Sequence, residues 1–338
     1  MRRSSRRRGL PASRCTSRER VISSTEATWG RAAPFAAAFC MGLLSSAQSR
    51  VNGGLSTLWG SPQQAAAFSF GSGLVVMTVV VIAMPSVRQG LGRVWRALRT
   101  GSLRWWEVIG GFLGAMFVLE QSFVVPLVGV AAFTVGIVAG QTANSLVVDR
   151  FGVGPQGRIP VSASRLSAAG LAVVAVLAAV ASRWGGDDET SILPILAAFG
   201  VGVLIAFQQA INGRVTVESG QPLAATWINF ALGTILLVAI FIGSLLLGGE
   251  VAPFPGGHFL LYTGGLIGPI FIALAAWAVT RIGVLITSLL AIAGQLSSAL
   301  VLDLVLPTQG AQVSAGLVFG VVLAFVAVLV GARRRPVT

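Results

Sequence analysis

Apolar residues arrive along this chain in blocks, each close to the roughly 20 residues that carry a helix across the hydrocarbon of a bilayer. The pattern predicts spans at about 33–53, 64–84, 105–125, 127–148 and 164–182. After a polar interval it predicts five more, at 192–212, 222–247, 258–280, 282–304 and 313–332. The third and fourth spans are separated only around Pro126, and the eighth and ninth only around Arg281, so both pairs read as tight hairpins. The expected fold is therefore an all-α integral membrane protein of about ten transmembrane helices. Residues 1–31 show no apolar periodicity and read as a disordered Arg-rich tail, uncleaved and cytoplasmic.

Composition agrees with this pattern. Hydrophobic residues make up 54% of the 338 and charged residues 10%, against about a quarter charged in an average soluble domain. A soluble fold would have no surface to present to water. The formal charge of +13 invites a nucleic-acid reading, but every basic residue is Arg and these sit between apolar blocks and at the termini. That is the placement of topology signals, not of a phosphate-binding face. With the N-terminus inside, only Arg50 and Arg183 fall outside, together with the acidic run Asp187, Asp188 and Glu189. Both termini are expected in the cytoplasm, in the inner membrane of the cell. Cys15 and Cys40 offer no disulfide framework or metal cluster, and no cofactor is expected.

The two halves of the chain echo each other. Gln48-x-x-x-Asn52-Gly53 returns as Gln208-x-x-x-Asn212-Gly213 at an offset of 160, which also carries Pro62 onto Pro222, Phe70 onto Phe230 and Gly73 onto Gly233. At an offset of 154, Gly110-Gly111 falls on Gly264-Gly265, Gly129 on Gly283, Ala-Gly-Gln at 139–141 on 293–295, and Asp149 on Asp303. The domain reading is a repeat over 32–185, an outer loop at 186–191, a second repeat over 192–332 and a basic C-terminus at 333–338. Five spans per half is an odd number, so the second copy enters the membrane upside down. Inverted repeats of this kind recur in secondary transporters, where two related packings around a central site give inward-open and outward-open states.

These motifs together resemble the YdcZ-type branch of the drug/metabolite transporter superfamily, over about residues 33–332. The resemblance implies a ten-helix secondary transporter of the cytoplasmic membrane and names no substrate.

Polar side chains inside apolar helices mark the candidate site, because each needs a partner in hydrocarbon. Gln48 and Asn52 share a helix face, as do Gln208 and Asn212, and Gln141 and Gln295 lie deep in their spans. These six are candidates for the solute path, with interhelical hydrogen bonding as the competing role. Asp149 and Asp303 end their spans and are expected to anchor helix ends. Glu120 within the third span and Arg50 near the end of the first are expected to pair, as a static ion pair or as a gate or coupling carboxylate. Gly53, Gly54 and Gly213 could break their helices beside the amides.

The expected function is secondary transport of a small solute by alternating access, with proton coupling through Glu120 left open. The partners are that solute and the bilayer, a homodimer being compatible. A non-transporting scaffold or a lipid scramblase is the alternative. An intramembrane enzyme is disfavoured, because no HExxH, no GxSxG and no paired intramembrane carboxylates occur, and a pump is disfavoured by the lack of a Walker A sequence.

Overall fold

The computed structural model of the chain describes residues 17–155, 157–158, 160–181, 192–254 and 256–332. The helices are α1 (Ser17–Trp59), α2 (Pro62–Ala83), α3 (Pro85–Thr100), α4 (Gly110–Phe151), α5 (Ala163–Ala181), α6 (Ile192–Ser219), α7 (Pro222–Leu246), α8 (Gly264–Val305) and α9 (Ala315–Ala332). Local chemistry sets their ends. Gly60 and Gly220 take φ values of +61° and +60°, closing α1 and α6 with the left-handed residue that glycine adopts at least cost. Two residues later, Pro62 and Pro222 open α2 and α7, where the missing N–H is no loss. The repeat therefore extends to the turns.

Among the described residues, five helical stretches are long and apolar enough to cross a bilayer: Pro62–Ala83, Trp105–Phe151, Ile192–Ser219, Pro222–Leu246 and Thr287–Val305. Ala163–Ala179, Phe259–Ala275 and Ala315–Val330 are shorter apolar helices. Trp105–Phe151 counts double, because α4 folds back on itself. Gly129 has φ 86° and ψ 168°, outside any helix, and the rings of Phe117 and Phe133 lie 5.9 Å apart although a straight helix would separate those positions by about 24 Å. Its first arm runs against α6 (Gly110 beside Asn212, Gly114 beside Gln208), while its second runs with α6 (Gly136 beside Ile195, Gly140 beside Phe199). α8 reverses likewise along α1. Gly264 and Gly268 meet Asn52 and Gln48, whereas Gly294 meets Phe39 and Leu43. With α1, this restores the ten spans. The first hairpin turns at Gly129 rather than at Pro126: Gly129 takes a positive φ, which proline's ring forbids.

The inversion of the repeats is visible where α2 crosses α7. Phe70 lies against Gly233 and Phe230 against Gly73, so the two helices run antiparallel, and the two rings meet with centroids 5.0 Å apart. Copies inserted in the same direction would cross parallel; these are related by an axis in the membrane plane. The halves also interlock, because α1 packs most extensively on α8 and α6 on α4. Each half thus lends its first helix to the hairpin of the other, and α5 and α9 close the far side with stacked alanines such as Ala172, Ala175, Ala324 and Ala327.

Residues 85–100, outside the expected spans, fold as a further helix, α3. Two sequence expectations need correction. The backbone of residues 17–31 is helical and continuous with the first span, so the expected disorder does not extend to it; no glycine interrupts this stretch before Gly30. Second, Gly53, Gly54 and Gly213 do not break their helices. They are places of close packing, Gly53 against Val125 and Gly213 against Pro155, so α1 and α6 run on to Trp59 and Ser219. Residues 1–16, the outer loop 186–191 with its acidic run, Arg183 and the C-terminus 333–338 lie outside the described residues.

Candidate functional site

Positions 45, 48, 49 and 52 of α1 share one face by helical spacing, and that face meets both hairpins. Gln48 donates from Nε2 to the carbonyl of Gly264 at 2.8 Å. Asn52 donates from Nδ2 to Oε1 of Gln121 at 2.8 Å, and Gln121 donates from Nε2 to Ser49 Oγ at 2.9 Å, so α1 and the first arm of α4 are joined by a chain of side chains. Asn52, Ser49 and Gln121 are fully buried. Two atoms here lack a partner among the described residues, Asn52 Oδ1 and Ser69 Oγ, and both abut Gly264.

The repeat places a matching group across the Phe70–Phe230 contact. Asn212 and Asn229 abut Gly110 as Asn52 and Ser69 abut Gly264, and Gln208 faces Gly114 as Gln48 faces Gly268. Gln208 reaches Asn229 Oδ1 from Nε2 at 3.5 Å, the long limit of a hydrogen bond. This second group is looser: Gln208, Asn212 and Asn229 are all half-buried, where Gln48 is only 4% exposed. Gln141 and Gln295 join neither group directly. Gln141 donates to Gln209 Oε1 at 2.9 Å, and Gln295 accepts through its backbone carbonyl from Ser46 at 2.7 Å. The six amides thus form two pairs on opposite sides of the aromatic contact, with two outliers.

Arg50 and Glu120 do not meet. Residues 50 and 52 point about 200° apart around α1, and 120 and 121 about 100° apart around α4. Once Asn52 and Gln121 face each other, Arg50 must face away. It donates instead from Nε to the carbonyl of Leu306 at 2.9 Å, satisfying a carbonyl just past the end of α8. Glu120 is half-buried, and its Oε1 has no partner among the described residues.

The aspartates bind at helix ends. Asp303 accepts from the backbone N–H groups of Val130 and Ala131 at 2.9 and 2.7 Å, capping the second arm of α4 immediately after its reversal. Asp149 pairs with Arg165 at the start of α5. The sequence reading missed Glu107. It is 2% exposed, accepts from the backbone N–H of Arg104 at 2.6 Å, and pairs with Arg214 of α6. Removing only the cation strands a buried carboxylate, whereas removing both charges relieves it. The unfolding midpoint in detergent is therefore expected to fall further for Arg214→Leu than for the double variant Arg214→Leu/Glu107→Gln.

Gln121, Asn229 and Ser69 also escaped the sequence reading. Gln121 faces Ala275 in the repeat, and Asn229 faces Ser69, so a search for identical matches passes over all three. Among the described residues, no group of three or more His, Cys, Asp or Glu is placed to hold a metal. What the arrangement offers is hydrogen-bonding amides at two repeat-related positions, one group buried and one half-buried.

Comparison with curated proteins gives no match. One family model, described as "Putative inner membrane exporter, YdcZ", matches residues 33–178 and again residues 193–330. Those two segments are the two five-span halves that interlock here around α2 and α7, and the chain belongs to that family of multi-pass membrane proteins.

Proposed function

We propose that the chain moves a small solute outward across the inner membrane by alternating access, binding it between the two amide groups that flank Phe70 and Phe230. The observation behind this is the unequal burial of equivalent groups. The Gln48–Asn52 group is sealed and the Gln208–Asn212 group is half-open. Two interconverting packings of an inverted repeat exchange such roles, so one group opens as the other closes. Arginines concentrate on the cytoplasmic side when the N-terminus is inside. In that orientation the half-open group faces the cytoplasm, as an exporter awaiting its solute requires. Glu120, with an unpartnered carboxylate oxygen in the third span, is the residue through which protons would couple to transport.

The test uses everted vesicles with an imposed proton gradient, panels of cationic, neutral and anionic solutes, and a pH-sensitive dye. Solute-dependent collapse of the gradient is expected, falling at least about tenfold in Gln208→Ala and Asn212→Ala, the equivalent of about 1.4 kcal/mol in solute binding. Collapse should vanish in Glu120→Gln while labelled solute still crosses. Full flux in both amide variants would put the solute path elsewhere, and no solute-dependent collapse in the unaltered chain would leave the scaffold or scramblase reading.

A further inference from the structure

The helix α3 has no counterpart in the second half, where no α-helix is described between Leu246 and Gly264. It is two-sided. Val87, Gly90, Val94 and Ala97 are buried, with Val94 and Ala97 in a cluster with Leu103, Val215 of α6 and Ala225 of α7. Gly90 lets it lie directly on Gln221 and Ala224 at the start of α7. Next to this seam Leu91, Trp95 and Leu98, at i, i+4 and i+7, form one wall of an open cavity of about 300 Å³. The opposite wall is Trp227, Ile228, Ala231 and Leu232 of α7. These residues sit five to ten positions below Pro222, about 8–15 Å down the span, which is the depth of one leaflet. Trp227 is held there by its indole N–H, which donates to Thr78 at 3.1 Å.

The helix that forms this wall is basic. Arg88, Arg93, Arg96 and Arg99 lie on α3, which carries no acidic residue. Two of them are committed: Arg93 to the carbonyl of Ser219 at 2.6 Å, and Arg88 to the carbonyls of Val81 and Ile82. Arg96 and Arg99 are exposed and form no ion pair among the described residues, even with Glu218 at the nearby end of α6. The guanidinium of Arg99 stands 4.8 Å above the ring of Trp95, which itself lines the cavity. An apolar slot of leaflet depth, with the guanidinium of Arg99 on its Trp95 wall and the exposed Arg96 next to Trp95 on the same helix, is complementary to an acyl chain below and a phosphate above.

We propose that the groove between α3 and α7 is a specific site for an anionic phospholipid, its acyl chain against Leu91, Trp95, Ile228 and Ala231 and its headgroup phosphate on Arg96 and Arg99. An amphipathic helix with a basic polar face lies in the membrane interface and draws anionic headgroups, each arginine contributing about fivefold in affinity. The lipid completes the seam that holds α3 on α7, and because the second half lacks α3 the site occurs once, at one face of the membrane.

Native mass spectrometry of the full purified chain, titrated with phosphatidylglycerol or with phosphatidylcholine of the same acyl chains, tests this. Retention of one phosphatidylglycerol is expected at concentrations at least about tenfold below those needed for phosphatidylcholine. That preference should disappear in Arg96→Gln/Arg99→Gln, survive in Arg96→Lys/Arg99→Lys, and weaken for both lipids in Ala231→Phe, which fills the slot. Equal retention of the two lipids by the unaltered chain overturns the proposal. So does a preference that persists in the double glutamine variant, since the headgroup would then lie elsewhere. Displacement by glycerol phosphate at concentrations that match the lipid would show a phosphate site without a lipid slot, and overturns it as well.

Discussion

Asp303→Ala should lose about 3–5 kcal/mol of stability against SDS-induced unfolding, the largest expected effect of removing one side chain from this protein. Where α4 reverses at Gly129, its backbone leaves both ends open: the carbonyls of the finished arm and the N–H groups of the arm about to start. Val125, Val130 and Ala131 are buried, so such groups have no water to turn to. The segment at the end of α8 satisfies both sets. Thr308 donates to the carbonyl of Val125 at 3.1 Å and the N–H of Gly310 to that of Pro126 at 3.0 Å, while the two oxygens of Asp303 take the N–H groups of Val130 and Ala131. A carboxylate at the C-terminal end of its own helix is poorly placed with respect to that helix dipole. Here it sits at the N-terminal end of another, where the dipole favours it. Each hydrogen bond to a charged acceptor is worth about 1.5–3 kcal/mol, and at 3% exposure water cannot replace it. Asp303→Asn keeps one acceptor and should cost about half as much. The repeat supplies the control. Asp149 pairs with Arg165, each side chain 25% exposed, and its alanine variant should cost no more than about 1 kcal/mol. Equal costs for the two aspartates would mean that the reversal of α4 is not held by Asp303.

That comparison also marks how far the sequence could be read. The spans and the repeat were legible because bilayer thickness fixes the length of an apolar block and because rare polar residues recur at constant offsets. Position along each helix was legible for the same reason. Azimuth was not. Arg50 and Glu120 were placed at compatible depths, yet which way each faces depends on which helix packs where, and the contact of Asn52 with Gln121 turns Arg50 away. The same blindness hid Gln121 beside its charged neighbour. α3 was lost differently. Its arginines served as topology signals, and a helix whose apolar face covers another helix leaves no uninterrupted apolar block for a span search to find. Asp303 was read as a helix-end anchor, but the helix it caps belongs to the other half, which no local pattern announces.

Substituting the glycines where the halves interlock is expected to cost nearly as much. A Cβ on Gly42 would land on the carbonyl oxygen of Ala291, and one on Gly294 on that of Phe39; in the related contact, Gly202 meets the carbonyl of Ile137 and Gly140 that of Phe199. These are backbone atoms inside helices, which cannot swing aside as a side chain can. The helices can only separate, and close approach through small residues is the main source of helix association in a bilayer. Gly202→Ala and Gly294→Ala should each cost about 2–3 kcal/mol, at the upper end for overpacking by one methyl. Gly140→Val should yield no monodisperse protein in detergent. Gly200 provides the comparison, two residues from Gly202 on the same helix but with nothing within 4 Å of a Cβ. Gly200→Ala carries only the gain in helix propensity, up to about 1 kcal/mol, and should raise the midpoint slightly. The contrast separates steric contact from any general effect of glycine on α6. If Gly202→Ala proves as harmless as Gly200→Ala, then α6 and α4 do not approach as closely as the interlocked halves require. Equal harm from both would point instead to a need for flexibility in α6 itself.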